Sequence, residues 1–291
     1  MIDFFIAYRP LLDVFLLHTG YALGQYIVLR AGVFSVANAG LTAIGAYLAA
    51  GLTVKLGVHP YLAIFAGMLA GTAFALLLSW PLARLRGVYQ AIATLAFVQV
   101  VLSLNIYAER FTGGAMGLNN IPKVVGTGTL LIFACLTIYL MLAISATRLG
   151  RAFDAIRQDE AVAVSLGVSV RFYQSVAFAI SGAIAGLFGG LEAFHSYALE
   201  PNQFGFAFLV AALSYVVLGG RRSVLGPVVG AAFLVALPEI SRPLAEYRML
   251  VYGMLLMLVI AYMPRGLVDT LLEALHKRRM AAGEPQGRGT A

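Results

Sequence analysis

Charged side chains are scarce in this sequence. Only 11% of its 291 residues are Asp, Glu, Lys or Arg, and 61% are hydrophobic; soluble domains carry roughly 25% charged residues. That balance excludes a water-soluble globular domain and leaves no room for a separate soluble catalytic one. Cysteine is almost missing too. Cys135 stands alone in an apolar run, which rules out an intrachain disulfide framework and a cysteine-built metal centre. The four histidines (His18, His59, His195 and His276) are scattered with no i, i+4 pair and read as interfacial or loop residues. There is no G-x-x-x-x-G-K-[ST] phosphate loop, no nucleophile elbow and no H-E-x-x-H, so the chain offers no ATP site of that kind and no recognisable catalytic centre. No catalytic residue, metal or cofactor is assigned. No signal-peptide pattern opens the chain.

What is present is a series of apolar segments, nearly free of acids and bases, at about 11–29, 31–54, 61–83, 88–108, 124–147, 172–191, 204–220, 223–238 and 249–263. Most approach the ~20 residues that cross a bilayer's hydrocarbon core as a helix. The expected fold is an all-α polytopic membrane protein with about nine transmembrane segments, within a range of eight to ten. Basic residues set its orientation. Alternate gaps, holding Arg30, Arg84 and Arg86, Arg148 to Arg171, Arg221 and Arg222, and Arg265 to the C-terminus, contain 14 of the 20 Lys and Arg. Cytoplasmic gaps carry this excess, which predicts an N-terminus outside and a C-terminus inside. The net charge of +7 is thereby accounted for by topology, and no nucleic-acid partner is implied. The short segment 223–238 is a candidate re-entrant element, and Asn38, Gly40 and Gly45 are positioned to break 31–54 into two half-helices. Residues 1–267 read as one membrane domain. The tail 268–291 is basic, then rich in Gly and Pro, a composition that reads as disordered.

The spans are expected to hold no acid or base at depth; Glu192 comes nearest, at the outer end of its segment. A charge in the membrane costs about 2.5–3.5 kcal/mol on insertion scales, and ion-coupled carriers keep one for function. A self-powered pump is therefore disfavoured, and energy should arrive from another chain. The segment suited to receive it is the longest internal cytoplasmic gap, LGRAFDAIRQDEAVAVSLGVSVR, residues 149–171. Read as one helix, it gathers Ala152, Ile156, Ala163 and Leu166 on one face. Arg151, Asp154, Arg157 and Glu160 alternate in sign every three residues on the other, a spacing that supports a helix. Gly167 is placed to cap its end, and Asp159 falls anomalously on the apolar side. A face of mixed sign suits a protein groove better than an anionic leaflet, which favours cations.

This segment resembles the cytoplasmic coupling segment of the branched-chain amino acid ABC permeases. Six further stretches carry the same resemblance in order along most of the chain: GLTAIGAYLAA (40–50), RLRGVYQAIATLAF (84–97), TGGAMGLNNIP (112–122), AFAISGAIAGLFGGLEA (177–193), VVLGGRRSVLGPVVGAAFLVALPE (216–239) and YGMLLMLVIAYMPRGL (252–267). The TGG-x-x-GL and RLRGVY pair resembles the LivM-type subunit more than its LivH-type partner. The resemblance implies an importer in a bacterial inner membrane. A second, LivH-type permease chain, two ATPase subunits and an extracytoplasmic substrate-binding protein would accompany this chain, and the cargo would be a small hydrophobic amino acid. Arg151, Asp154, Ile156, Arg157, Asp159, Glu160 and Gly167 would then form the ATPase-coupling element. Two departures from the family stand out. Members often begin with an additional N-terminal helix, which this sequence lacks, in keeping with an outside N-terminus. The frequent L-S-L-G-H-x-x-F-F-G stretch is here VFSVANAGLTAIG (33–45), without its histidine.

Glycines recur inside the spans. Gly186–Gly190 and Gly226–Gly230 have the small-x-x-x-small spacing that lets helices approach closely. Polar residues in the spans need hydrogen-bond partners and mostly read as stitches between helices. Candidates for the translocation pathway are Asn38, Gln90, Thr94, Gln99, Ser181 and Glu192. The loops 109–123 and 194–203 combine turn formers with mixed charge, as a docking surface for a soluble protein would. Competing readings are a self-contained facilitator or channel, which leaves the alternating-charge segment without a purpose, and an integral-membrane enzyme, for which Glu192, His195 and Glu200 offer no companion base.

Overall fold

The computed structural model describes residues 2–240, together with Gly253, Met254, Met257 and residues 266–270. Eleven helices follow one another over the first stretch: α1 (Ile2–Arg30), α2 (Asn38–Leu56), α3 (Pro60–Leu82), α4 (Val88–Tyr107), α5 (Glu109–Thr112), α6 (Thr127–Ala146), α7 (Arg148–Gln158), α8 (Glu160–Ser165), α9 (Val170–His195), α10 (Phe206–Gly219) and α11 (Leu225–Ile240). Among the described residues there is no strand, only an isolated bridge between Leu118 and Leu199. Among the described residues seven helices are long and apolar enough to cross a membrane: α1, α2, α3, α4, α6, α9, and α10 with the 3-10 turn that precedes it. They coincide with the first seven apolar segments of the sequence. The eighth, α11, has 16 residues, short for a straight crossing. The ninth expected segment, 249–263, lies outside the described residues but for three helical positions. So does the tail 268–291, except for 268–270, which are helical.

Helix α9 is the central post, packed by α2 and α3 along most of its length. Small residues make this possible. A methyl group on Gly182 would lie 2.4 Å from the carbonyl oxygen of Gly71, and one on Gly45 would lie 2.5 Å from the backbone of Gly186. Backbone thus meets backbone across all three helices, the small-residue packing that substitutes in lipid for a hydrophobic driving force. Gly219 and Gly230 join α10 to α11 in the same way. Helix α1 is also largely enclosed, whereas α3, α4 and α6 turn broad apolar faces outward, as lipid-facing helices do.

The second apolar segment is interrupted, but not where its glycines suggest. Helix α2 runs unbroken from Asn38 past Gly40 and Gly45 to a left-handed Gly57 cap. The non-helical stretch is 31–37, which doubles back beside α1 so that Ser35 meets Gln25 and Asn38 meets Tyr21. This places non-helical backbone beside the bundle's helices, tolerable only where protein partners satisfy it. Gln25 Nε2 donates to the Ser35 carbonyl at 2.6 Å, and the Val36 N–H donates to Thr94 Oγ1 at 3.1 Å.

The two ends of the bundle separate the two kinds of gap. Contacts among Arg30, Arg86, the α7–α8 segment and Glu160 gather arginine-rich gaps at one end. At the other, Arg9 Nε donates to Thr127 Oγ1 and the loops after α4 and α9 pair with each other.

Candidate functional site

The arginine-rich end is built around a segment that is two helices, not one. Asp159 adopts an extended conformation (φ −158°, ψ 113°) and its carboxylate accepts the backbone N–H groups of Ala161 and Val162 at 2.8 and 3.1 Å. It is the N-cap of α8, which explains an acid on the apolar side of a continuous wheel. Gly167, left-handed at φ 78°, closes the element, with the Val168 N–H donating to the Ala163 carbonyl. The break also rotates α8 relative to α7. Ala152, Ile156 and Ala163 are buried as the stripe requires, but Leu166 is 74% exposed, and Val162 and Val164 are more than half exposed beside it.

The alternating charges are spent mainly on other helices. The Arg30 guanidinium forks the Asp154 carboxylate, Nε at 3.0 Å and Nη2 at 2.7 Å, and donates to Ser145 Oγ at 2.7 Å. Its cation also lies 5.9 Å from the centre of the Tyr26 ring. Glu160 pairs with Arg86 at 3.2 Å, on the turn between α3 and α4. Of the expected i, i+3 pairs, Asp154–Arg157 is present at 3.6 Å; Arg151 is exposed. A cleft of about 350 Å³ opens between α8 and the α3–α4 turn, with Gly32, Gln90 and Gln174 at its floor. Gly32 meets α7 directly, since a methyl group there would lie 3.5 Å from Arg157 Cα and Ile156 Cγ2.

Most of the expected pathway residues make hydrogen bonds to backbone within the bundle. Gln90 Nε2 donates to the Leu85 carbonyl at 2.9 Å and holds the end of α3. Thr94 donates to the Gln90 carbonyl and receives the Val36 N–H. Ser181 Oγ donates to the Gly24 carbonyl at 2.8 Å. Asn38 Nδ2 donates to the Tyr21 carbonyl, and its buried Oδ1 has no partner among the described residues. Gln99 is exposed on the far side of α4 and does not join Gln90 and Thr94.

Glu192 is different. One turn before the end of α9 it turns into the bundle, where the Tyr21 hydroxyl donates to its Oε2. Both line a cavity of about 280 Å³ between α1, α9 and α10, together with His18, Gln203, Phe208 and Tyr215. His18 Nδ1 lies 2.5 Å from the Tyr215 hydroxyl. Sequence reading placed Glu192 at a span end and His18 among interfacial histidines, and it missed Tyr21, Gln203 and Tyr215. The available signal was the i, i+3, i+7 spacing of His18, Tyr21 and Gln25 on α1. It also passed over Asp13, a second acid inside α1, buried with Oδ2 3.8 Å from His195 Nε2. Among the described residues no three His, Cys, Asp or Glu side chains are grouped to hold a metal ion.

At the loop end, the two stretches 109–123 and 194–203 form one surface. Leu118 and Leu199 exchange both backbone hydrogen bonds, the Ile121 N–H donates to the Tyr197 carbonyl, and the Tyr197 hydroxyl donates to Asn120 Oδ1 at 2.7 Å.

Comparison with known proteins finds relatives among membrane transport permeases. The high-affinity branched-chain amino acid transport system permease protein LivM of Escherichia coli (strain K12) is 32% identical over 296 residues, covering 89% of this chain and 69% of the relative. LivM of Salmonella typhimurium is 30% identical over 300 residues, covering 91% and 70%. LivH of Escherichia coli (strain K12) is 29% identical over 164 residues, covering 56% and 51%. No solved structure matches the chain. Residues 11–260 match the family described as branched-chain amino acid transport system / permease component, and the chain is a multi-pass membrane protein belonging to that family.

Proposed function

We propose that this chain is the non-catalytic permease subunit of an ABC importer that brings branched-chain or related small hydrophobic amino acids into the cell. Separate ATPase subunits power it, a LivH-type permease chain pairs with it, and an extracytoplasmic binding protein delivers the cargo. In this reading the chain sits in a bacterial inner membrane with nine spans, and the arginine-rich end faces the cytoplasm, as the bias of basic residues favours. The LivM and LivH relatives support the pairing of two permease types.

The observation that carries the reading is the α7–α8 element. Its α7 half is fastened to the bundle through Asp154 and Arg30, while Val162, Val164 and Leu166 of the α8 half stand exposed. Three neighbouring apolar side chains on a polar membrane face suit a partner protein. An ATPase seated there would push on α7, and α7 would push on Arg30 and Gly32, where α1 turns into the extended stretch. The loop surface at the opposite end, pinned by the Leu118–Leu199 bridge, would receive the binding protein.

The test is to tag the chain at its C-terminus, purify it from native membranes in mild detergent and identify its companions by mass spectrometry. Nucleotide-binding chains with a second permease are expected. Recovery of this chain alone, stable and monodisperse, would overturn the reading in favour of a self-contained facilitator.

A further inference from the structure

The cavity between α1, α9 and α10 shares no lining residue with the cleft at α8, and its lining is ordered by chemistry. At about 280 Å³ it lies just below the roughly 300–1,000 Å³ range of drug-sized small-molecule sites, a space for a solute of amino-acid size. On one side stands the Glu192 carboxylate, an acceptor, oriented by the Tyr21 hydroxyl. On another stands Gln203. Its Oε1 accepts the Glu200 N–H at 3.3 Å, which fixes the amide's orientation. Its Nε2 is buried without a hydrogen-bond partner among the described residues. A buried donor left unmet is costly, and a guest that brings an acceptor removes that cost. Phe208, Ala211 and Ala212 supply an apolar wall, and the two alanines leave the space open.

A carboxylate, an unmet amide donor and an apolar wall in one small cavity match the three parts of a zwitterionic amino acid. We infer that this cavity is an intramembrane binding site for apolar α-amino acids: the ammonium group meets Glu192, the carboxylate accepts from Gln203 Nε2, and the side chain lies against Phe208 and the alanines. The inference rests on the import reading for its class of cargo, and it adds a station within this chain where the cargo is recognised after leaving the binding protein. A charge-assisted contact to Glu192 makes that recognition depend on the amine.

The test uses the purified complex without its binding protein, probed by saturation-transfer NMR with L-leucine, with isoamylamine, which lacks the carboxylate, and with 4-methylpentanoate, which lacks the amine. Wild type is expected to bind leucine better than either analogue. Glu192→Gln should weaken leucine and isoamylamine by about tenfold or more and leave 4-methylpentanoate unchanged. Gln203→Leu should weaken leucine and 4-methylpentanoate and leave isoamylamine unchanged. Ala211→Phe, which fills the cavity and leaves every polar residue of its lining in place, should abolish all three. Elution and melting of each variant are checked first, and where a variant fails to fold the wild-type ranking of the three probes decides. Absence of a leucine signal in wild type, equal binding of leucine and its analogues, or unchanged binding in Glu192→Gln or Ala211→Phe overturns the inference. ATP-driven leucine uptake is measured in vesicles alongside. Uptake without cavity binding overturns this site alone, whereas cavity binding without uptake overturns the import reading and leaves the site standing.

Discussion

Replacing Asp154 by Asn tests the joint between α7 and the bundle. Only 5% of the Arg30 side chain is exposed, against 33% for Asp154. Removing one member of a fully buried ion pair costs about 3–5 kcal/mol, because the other charge is left without compensation. Two features reduce that here. The carboxylate side is partly solvated, which screens the pair, and Arg30 keeps Ser145 Oγ and the Tyr26 ring. The expected loss is about 2 kcal/mol, equivalent to roughly 4–8 °C in melting temperature for a chain of this size. The assay is the temperature at which half of the detergent-purified protein stays monodisperse on size exclusion. Arg30→Met supplies the second edge of a double-mutant cycle. Because the two groups share one fork, the double variant should lose less than the sum of the singles, by about 1–3 kcal/mol. A shift within about 1 °C for Asp154→Asn, or a strictly additive double variant, would refute the assignment of this pair as the joint.

Asp159→Ala removes the α8 cap, worth about 1 kcal/mol, so hydrogen exchange should quicken at the amides of 160–165 and stay unchanged in α7; equal protection in both would mean the cap is idle. Gly182→Leu forces a side chain against the Gly71 carbonyl, an overpacking that costs about 1–3 kcal/mol or more, and the yield of monodisperse protein should collapse. Gly128→Leu, with nothing within 4 Å of the added carbon, is the silent control, and similar yields would discredit the glycine contact. Leu118→Cys with Leu199→Cys, in a Cys135→Ser background, should form a disulfide under mild oxidation, since hydrogen-bonded antiparallel pairs sit about 5.5 Å apart at Cα, within bridging range. Failure to cross-link would mean that the two loops part in the membrane.

Much of the fold is written plainly because the bilayer asks one simple thing of a sequence: about 20 residues without charge. Seven segments met that demand and became helices of nearly the expected bounds. Local exceptions were harder to read. The break in the second segment fell at 31–37 rather than at Gly40 or Gly45, because those glycines serve close packing: Gly40 against Phe97 and Gly45 against Gly186. Asp159 was visible as an anomaly on the wheel, and an acid that interrupts an apolar stripe is itself the signature of a cap; treating 149–171 as one helix hid it. The partners of Arg30 and Glu160 could not be read at all, being 124 residues away in the first case and on the α3–α4 turn in the second. The Glu192 cavity needed three helices brought together, with Tyr21 and Glu192 separated by 171 positions. Only the polar spacing along α1 pointed towards it.

The stretch 33–36 has a consequence for how such a chain can move. A helix that bends within lipid must surrender hydrogen bonds from its own ladder, and each exposed group is costly there. Past Val33, whose N–H still donates to the Val28 carbonyl of α1, residues 34–36 have no ladder to surrender. They are moored to the rest of the protein through two side chains, Gln25 and Thr94, one on the helix before them and one on α4. Swinging either side chain to a new partner would re-route the main chain here while α1 and α2 stay whole. With α2, α3 and α9 locked backbone to backbone, this short rope beside a rigid mast is where a small push delivered at Arg30 has the least to break.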